Sequence, residues 1–184
     1  MSIHITWRNW GEAEDQRYQA IRARNQPGYA WKSLYLVFGL QALLAFVLAM
    51  PLYVAVGSGS GLNPIDFVSL AVWLAGFAFE AIGDWQLARF LADPQNRGKV
   101  MDGGLWRYTR HPNYFGEAAM CWGMYGFALG QGGWWTVFAP LLMTWLLLRV
   151  SGVSLLEKDI GERRPGYREY VARTNAFLPG QPRP

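Results

Sequence analysis

The sequence is poor in the residues that usually bind metals or form disulfides. It contains one cysteine, Cys121, which lies in an apolar run without a second thiol, so neither a disulfide framework nor a cysteine-based metal site is expected. Its two histidines, His4 and His111, are far apart and match no zinc-binding spacing. We therefore predict that the protein binds no metal ion.

A glycine-rich G-x-G-x-x-G turn is also missing, which excludes a Rossmann-type site as the means of binding a dinucleotide. The formal net charge is +4, but the basic residues fall in three clusters between apolar segments and form no continuous basic face. Nucleic acid is therefore not expected as a partner.

Charged residues are absent from long stretches of the chain. The sequence is 52% hydrophobic and has ten tryptophans, which is typical of a membrane protein. The apolar runs predict an all-α, polytopic membrane protein with about four transmembrane helices, at residues 33–56, 66–90, 113–130 and 134–155. We expect one membrane domain over residues 1–180, with polar cytoplasmic segments at 1–32 and 156–184 and a cofactor cleft on the cytoplasmic side.

The distribution of lysine and arginine predicts the orientation. The N-terminal segment, the central loop and the C-terminal segment carry these residues, whereas the loops at 57–64 and 130–133 carry none. All three basic regions are therefore expected on the cytoplasmic side of a bacterial inner membrane. Residues 175–184, with two prolines among the last three, are expected to form a loose tail.

Four polar side chains are predicted to line one pocket where the second and third spans meet the cytoplasm. They are Glu80 and Asp84 in the second span and Asn113 and Glu117 in the third, each pair spaced i,i+4 on one helix face. Because unpaired carboxylates at membrane depth are costly, Arg110 or Arg173 is expected to neutralise them. The alternative is that the carboxylates face headgroups and water.

Residues 103–117, GGLWRYTRHPNYFGE, are the densest polar stretch of the chain and lie between apolar segments. A basic loop that only orients a membrane protein needs Lys and Arg in any order. Here the arginines are mixed with a histidine, tyrosines, an asparagine, a glutamate and Gly116, which permits close backbone approach. This mixture favours a ligand site, and we expect Arg110 and His111 to contact a phosphate-bearing cofactor.

The same stretch resembles the C-terminal half of the steroid 5-alpha-reductase and sterol-reductase superfamily, including bacterial membrane proteins of unknown substrate. Asn113-Tyr114-Phe115-Gly116-Glu117 matches the Asn-Tyr-x-Gly-Glu of that superfamily. The resemblance implies NADPH-dependent reduction of a carbon–carbon double bond in a lipophilic, steroid- or isoprenoid-like substrate. It also implies a set of cofactor-binding residues: Asp84, Lys99, Tyr108, Arg110, His111, Asn113, Tyr114, Glu117, Glu157, Tyr167, Tyr170 and Arg173.

The chain departs from the steroid reductases at the positions that carry catalysis. Ile5 stands where their catalytic tyrosine is expected, and their catalytic glutamate would precede Met1. We therefore expect the family's upstream helices to be missing from this chain. Glu14 and Tyr18, spaced i,i+4, are candidates for a substitute proton donor, and the alternative is a solvated juxtamembrane surface.

Two other functions remain open. The isoprenylcysteine carboxyl methyltransferases, which use S-adenosylmethionine, also combine Arg-His-Pro-x-Tyr with a late glutamate and a Tyr-x-x-Tyr pattern, as this chain does at residues 110–114, 157 and 167–170. A non-catalytic membrane protein that retains the fold is the third possibility. The lipid bilayer and a lipophilic small molecule are the expected partners, and the sequence leaves the oligomeric state undetermined.

Overall fold

The computed structural model describes residues 16–150, 153, 157, 164 and 166–183, and for residues 16–18 and 20 the backbone alone. This part of the chain is helical and contains no strand, which confirms the predicted all-α class. The helices are α1 (Gln16–Arg24), α2 (Tyr29–Gly57), α3 (Pro64–Ala92), α4 (Pro112–Gly130), α5 (Trp134–Val150) and α6 (Tyr167–Arg173). Short 3-10 turns at Pro94–Asn96 and Gly104–Arg107 interrupt the loop between α3 and α4.

The chain divides into two compact units, Met1–Ala45 and Phe46–Pro184. In the first unit, the Arg22 guanidinium lies 5.6 Å from the centre of the Tyr29 ring, and Lys32 Nζ donates to the carbonyl of Asn25 at 3.1 Å. These contacts connect α1 to the start of α2. All candidate functional residues whose side chains the structure describes belong to the second unit.

In the second unit, α3 and α4 run antiparallel with their backbones in close contact. A Cβ atom on Gly76 would lie 2.7 Å from the carbonyl oxygen of Gly116, and one on Gly123 would lie 2.9 Å from that of Ser69. Small residues recur at every seventh position along both contacting faces: Ser69, Gly76 and Gly83 on α3, and Gly116, Gly123 and Gly130 on α4. Since small residues at a helix interface let the two backbones approach closely, this spacing packs α3 against α4.

Asn63 fixes where α3 begins. Its side chain accepts a hydrogen bond from the amide of Ile65 at 2.8 Å, and Asp66 accepts one from the Asn63 amide at 2.7 Å, which forms a capping box ahead of Pro64. The side-chain Nδ2 of Asn63 also donates to the carbonyl of Gly130 at 3.2 Å. The start of α3 is thereby tied to the end of α4.

Two helices, α2 and α3, are long and apolar enough to cross a membrane. Each has 29 residues, so each rises by about 43 Å, more than a hydrocarbon core of about 30 Å. Most of their large apolar side chains are exposed, as at Phe46 and Phe67. Apolar helices with this outward-facing surface suggest a lipid-embedded protein. Helices α4 and α5 lie at the predicted third and fourth spans, and α5 is a shorter apolar helix.

Candidate functional site

A buried charge cluster forms where the polar stretch meets the C-terminal segment. Arg110, only 8% exposed, donates from Nε and Nη2 to the two carboxylate oxygens of Glu157 at 2.8 and 3.0 Å. His111 Nε2 lies 2.9 Å from Glu157 Oε1, and the His111 ring stacks on the ring of Tyr114 with centres 5.4 Å apart. Such a bidentate arginine–carboxylate pair fixes geometry as well as charge.

The C-terminal strap, residues 174–183, is bound to the polar stretch through its backbone. Arg110 Nη1 donates to the carbonyl of Thr174 at 2.6 Å, and the Arg110 amide donates to that of Asn175 at 2.9 Å. Thr109 Oγ1 donates to the carbonyl of Phe177 at 2.8 Å, and the Gly180 amide donates to that of Tyr108 at 3.0 Å. The expectation of a loose tail is therefore wrong, because these carbonyls satisfy donors of the polar stretch.

Trp106 attaches the polar stretch to α3. Its indole Nε1 donates to the carbonyl of Gly83 at 3.0 Å, and the Leu105 amide donates to Gln86 Oε1 at 3.0 Å. On the other side, the Tyr170 hydroxyl donates to the carbonyl of Trp106. The buried Trp106 thus joins α3 to α6 through one turn of 3-10 helix.

A cavity of about 240 Å³ lies between these elements. Its wall combines four apolar side chains, three aromatic side chains, a histidine, two arginines and an asparagine: Leu87, Leu91, Val100, Met101, Trp106, Tyr167, Tyr170, His111, Arg110, Arg164 and Asn113. Apolar walls with a few convergent polar groups are typical of small-molecule sites, although most such sites are larger than this.

A larger groove of about 550 Å³ shares Met101 with this cavity. It is lined by Trp85, Gln86, Arg89, Phe90, Ala92, Asp93, Asn96, Met101, Gly103 and Gly104. The Arg89 guanidinium lies 5.6 Å from the centre of the Trp85 ring. Since Met101 borders both spaces, an extended ligand could occupy the cavity with one end and the groove with the other.

The charge cluster sets the ionisation of its neighbours. Burial alone would raise the pKa of Glu157, but hydrogen bonds from His111 and Arg110 and the positive charge of Arg110 outweigh it and lower the pKa to about 2. Burial, followed by the negative charge of Glu157, raises the pKa of Tyr167 to about 12, and burial also raises the pKa of Tyr170. Both phenols therefore stay neutral at physiological pH.

The lowered pKa of Glu157 predicts a specific acid sensitivity. Because the folded-state pKa lies below the ordinary value of 4.5, the carboxylate stabilises the folded protein above pH 4.5, and this stabilisation is lost as the pH falls toward 2. The contribution is on the order of 3 kcal/mol. We expect Glu157→Gln to lower the midpoint of thermal unfolding at pH 7. Between pH 5 and 3, the midpoint of the variant should decrease less than that of the parent.

The matched control is Glu169→Gln, which changes an exposed glutamate on α6 and should keep the parent's pH profile. If Glu157→Gln and the parent lost the same stability on acidification, the acid sensitivity could not be due to Glu157.

The structure brings together five of the twelve cofactor-binding residues that the resemblance implies. The five border the cavity: Arg110, His111, Asn113, Tyr167 and Tyr170. Tyr114 and Glu157 are held behind it by His111, and Lys99 accepts a hydrogen bond from Arg164 through its carbonyl at 2.7 Å. Tyr108 is exposed, with its carbonyl bound to the strap, and Arg173 forms an ion pair with Asp102.

The carboxylates do not form the pocket that the sequence predicts. Asp84 is exposed and does not border the cavity that Asn113 lines. Glu80, Asp84 and Glu117 do lie close enough to repel one another, and Oε2 of Glu80 is buried without a hydrogen-bond partner.

The cation expected beside these carboxylates is also not found. Within the described part of the chain, no basic side chain lies within salt-bridge distance of Glu80, Asp84 or Glu117. The prediction is wrong because both candidate arginines are engaged elsewhere, Arg110 by Glu157 and Arg173 by Asp102.

The proposed proton donors cannot be placed on this site. Glu14 lies outside the described residues, as does Ile5, and of Tyr18 only the helical backbone is described.

Sequence reasoning missed Trp106, Arg164 and Met101, which all border the cavity. Trp106 could have been noticed, since it lies inside the polar stretch two residues after the Gly103-Gly104 pair. Arg164 and Met101 could not, because nothing in their own surroundings distinguishes them from other loop residues.

Comparison with known proteins places the chain among proteins that have no described activity. The model of a family of proteins of unknown function, DUF1295, matches residues 1–174. An uncharacterized protein of Schizosaccharomyces pombe is 26% identical over 192 residues, a match that covers 91% of this chain and 55% of that protein. The chain thus spans about half the length of that curated relative. No solved structure gives a significant match.

Proposed function

The chain belongs to DUF1295, a family of proteins of unknown function, and we propose that it is a membrane-embedded, NADPH-dependent reductase of a carbon–carbon double bond in a lipophilic substrate. The observation that carries the proposal is the cavity itself, in which Asn113 and the two tyrosines of α6 share an apolar wall with Arg164. The resemblance of residues 113–117 to the steroid 5-alpha-reductases supports the choice of cofactor.

The proposal includes four membrane spans, formed by α2 to α5, with the basic loops and the C-terminus on the cytoplasmic side. The exposed apolar surfaces of α2 and α3 support the first two spans. The basic residues Arg97, Lys99 and Arg107 lie in the loop between α3 and α4, and this placement supports the orientation.

The residues present fit a dinucleotide in three respects. Asn113 offers hydrogen bonds to an amide or a ribose, and the apolar wall around Met101 excludes water from one end of the ligand. Arg164 and Arg89 supply positive charge at the cavity and the groove. When bound, NADPH supplies the hydride for the reduction.

Arg110 has a different role from the one that the sequence predicts. Its Nε, Nη1 and Nη2 atoms all donate to Glu157 or to backbone carbonyls. It is therefore a positioning residue, which holds the strap and His111 against the cavity, and a cofactor phosphate needs Arg164 or Arg89 instead.

A methyltransferase that uses S-adenosylmethionine is the second candidate, and two observations favour it. Arg110 and His111 converge on Glu157, so the Arg-His-Pro motif and the late glutamate that this chain shares with the isoprenylcysteine methyltransferases form one cluster. The small volume of the cavity also suits a ligand smaller than a dinucleotide.

The reductase proposal predicts that Arg164 contributes to cofactor affinity. Removing one charge-assisted hydrogen bond costs about 1.5–3 kcal/mol, so Arg164→Ala should bind NADPH about tenfold or more weakly in an equilibrium titration. Arg168→Ala is the matched control, because Arg168 is exposed and does not border the cavity, and it should bind as the parent does.

Equal affinities of Arg164→Ala and Arg168→Ala for NADPH would contradict the proposal that NADPH binds in the cavity. Tight binding of S-adenosylmethionine without NADPH binding would favour the methyltransferase. Binding of neither ligand would favour a non-catalytic membrane protein.

A further inference from the structure

A pocket of about 320 Å³ with an excess of positive charge is bordered by the strap and shares no lining residue with the cavity. It is lined by Asp102, Arg107, Arg173, Thr174, Pro182 and Arg183. Three arginines and one aspartate give it a formal charge of +2, since 3 − 1 = 2. We call it the arginine pocket.

The arginines of this pocket are only partly engaged. Arg173 pairs with Asp102, and both side chains remain 48% exposed. Arg183 Nη2 donates to Asn175 Oδ1 at 3.2 Å, a neutral partner that leaves its charge uncompensated. Among the described residues, Arg107 has no acidic partner within salt-bridge distance. The pocket therefore favours an anion.

An apolar groove of about 600 Å³ is lined by residues of α3, α4 and the same strap. Its lining residues are Val72, Ala75, Gly76, Phe79, Phe115, Ala119, Leu178 and Pro179. None of them is charged, and α3 is one of the two helices that can cross a membrane. An uncharged lining and a volume of about 600 Å³ suit a hydrocarbon chain.

The strap sets an upper limit on the distance between the arginine pocket and the apolar groove. Pro179 borders the apolar groove and Pro182 borders the arginine pocket. Three peptide units connect them, so their Cα atoms lie within about 11 Å of each other. This separation is similar to the thickness of one headgroup layer, about 5–8 Å, plus the width of a side chain.

We propose that the chain binds one anionic phospholipid, with its phosphate in the arginine pocket and an acyl chain in the apolar groove. Charge decides between lipids: a phospholipid with net negative charge complements a pocket of charge +2, whereas a zwitterionic lipid adds a cation to it. This lipid site uses residues that do not border the cavity, and it needs the chain to lie in a membrane but does not need it to be a reductase.

The test is native mass spectrometry of the full chain, purified in detergent, stripped of lipid and titrated with dioleoyl phosphatidylglycerol or dioleoyl phosphatidylcholine. We expect one phosphatidylglycerol per chain at concentrations where phosphatidylcholine is not retained. Glycerol 3-phosphate, the headgroup without chains, should not compete at equal concentration. Equal retention of both lipids, or full competition by glycerol 3-phosphate, would overturn the proposal.

Paired variants test the two halves of the site. Arg107→Ala/Arg183→Ala should bind phosphatidylglycerol about 100-fold or more weakly, because each arginine loses a charge-assisted hydrogen bond that is worth about tenfold or more in affinity. Arg97→Ala/Arg168→Ala removes the same charge from exposed positions outside the pocket and should bind as the parent does. An equal loss in both double variants would show general surface attraction and overturn the proposal.

A second pair of variants tests the apolar groove. This pair tests the lipid site even if the arginine variants fail to fold. Ala75→Trp fills the groove, whereas Ala78→Trp places the same ring on an exposed position of α3 outside it. We expect Ala75→Trp alone to lose phosphatidylglycerol. Retention by Ala75→Trp equal to that by Ala78→Trp would contradict the groove.

Discussion

Replacing Gly116 with alanine is expected to break the contact between α3 and α4. A Cβ atom at this position would lie 2.5 Å from the backbone nitrogen of Glu80 and 2.5 Å from the carbonyl oxygen of Gly76. Both atoms belong to the backbone of α3, so no side-chain rotation relieves the clash. The two helices must separate, and the packing along both faces is lost with them.

The expected cost is large for one methyl group. Overpacking a tight interface costs about 1–3 kcal/mol and occasionally more, and we expect at least the upper part of that range here because two helix backbones must move. The measurement is the midpoint of thermal unfolding in detergent. Gly57→Ala is the control, because a Cβ at that helical position would meet nothing within 4 Å. If Gly116→Ala were as stable as Gly57→Ala, the close packing of α3 on α4 would be wrong.

The second large effect is expected at Arg110. Arg110→Ala leaves Glu157 without its bidentate partner and removes donors from the carbonyls of Val171 and Thr174. Breaking one side of a buried ion pair costs about 3–5 kcal/mol, because an uncompensated charge stays behind. We expect the strap to detach, which limited trypsin digestion would report as early cleavage after Arg173.

Two variants separate this role from a general effect of losing an arginine. Arg110→Ala/Glu157→Ala should be more stable than the sum of the two single losses, because no unpaired charge remains. Asp102→Ala breaks the exposed pair with Arg173 and should cost no more than about 1 kcal/mol. Additive losses at Arg110 and Glu157 would show that the two side chains act independently.

The helices could be read from the sequence because apolar run length and turn residues determine them directly. The predicted span at 66–90 became α3 at Pro64–Ala92, and the uncharged loop before it ends in the Asn63 cap. The seven-residue spacing of Ser69, Gly76 and Gly83 was also visible in the sequence, and it would have predicted the face that α3 turns to α4.

The partners of Arg110 could not be read from the sequence. Its carboxylate partner lies 47 positions later, beyond the end of α5, and several acidic residues were closer in sequence. Sequence reasoning placed Arg110 beside Glu80 or Glu117 because those carboxylates needed a cation. The sequence does not show that backbone carbonyls of the strap compete for the same arginine. Every residue has a carbonyl, and only the fold determines which carbonyls lie near Arg110.

The prolines of the strap were misread for a related reason. Pro179 and Pro182 prevent a helix, and a segment without a helix was taken to be loose. An extended segment can instead be held by hydrogen bonds to other parts of the chain, as Gly180 is by the carbonyl of Tyr108.

The most direct test of the proposed function is a calorimetric titration of the full chain in detergent with NADPH and, separately, with S-adenosylmethionine. We expect NADPH to bind saturably at one site per chain, and S-adenosylmethionine to bind more weakly or not at all. Saturable binding of S-adenosylmethionine with no measurable binding of NADPH would contradict the reductase proposal.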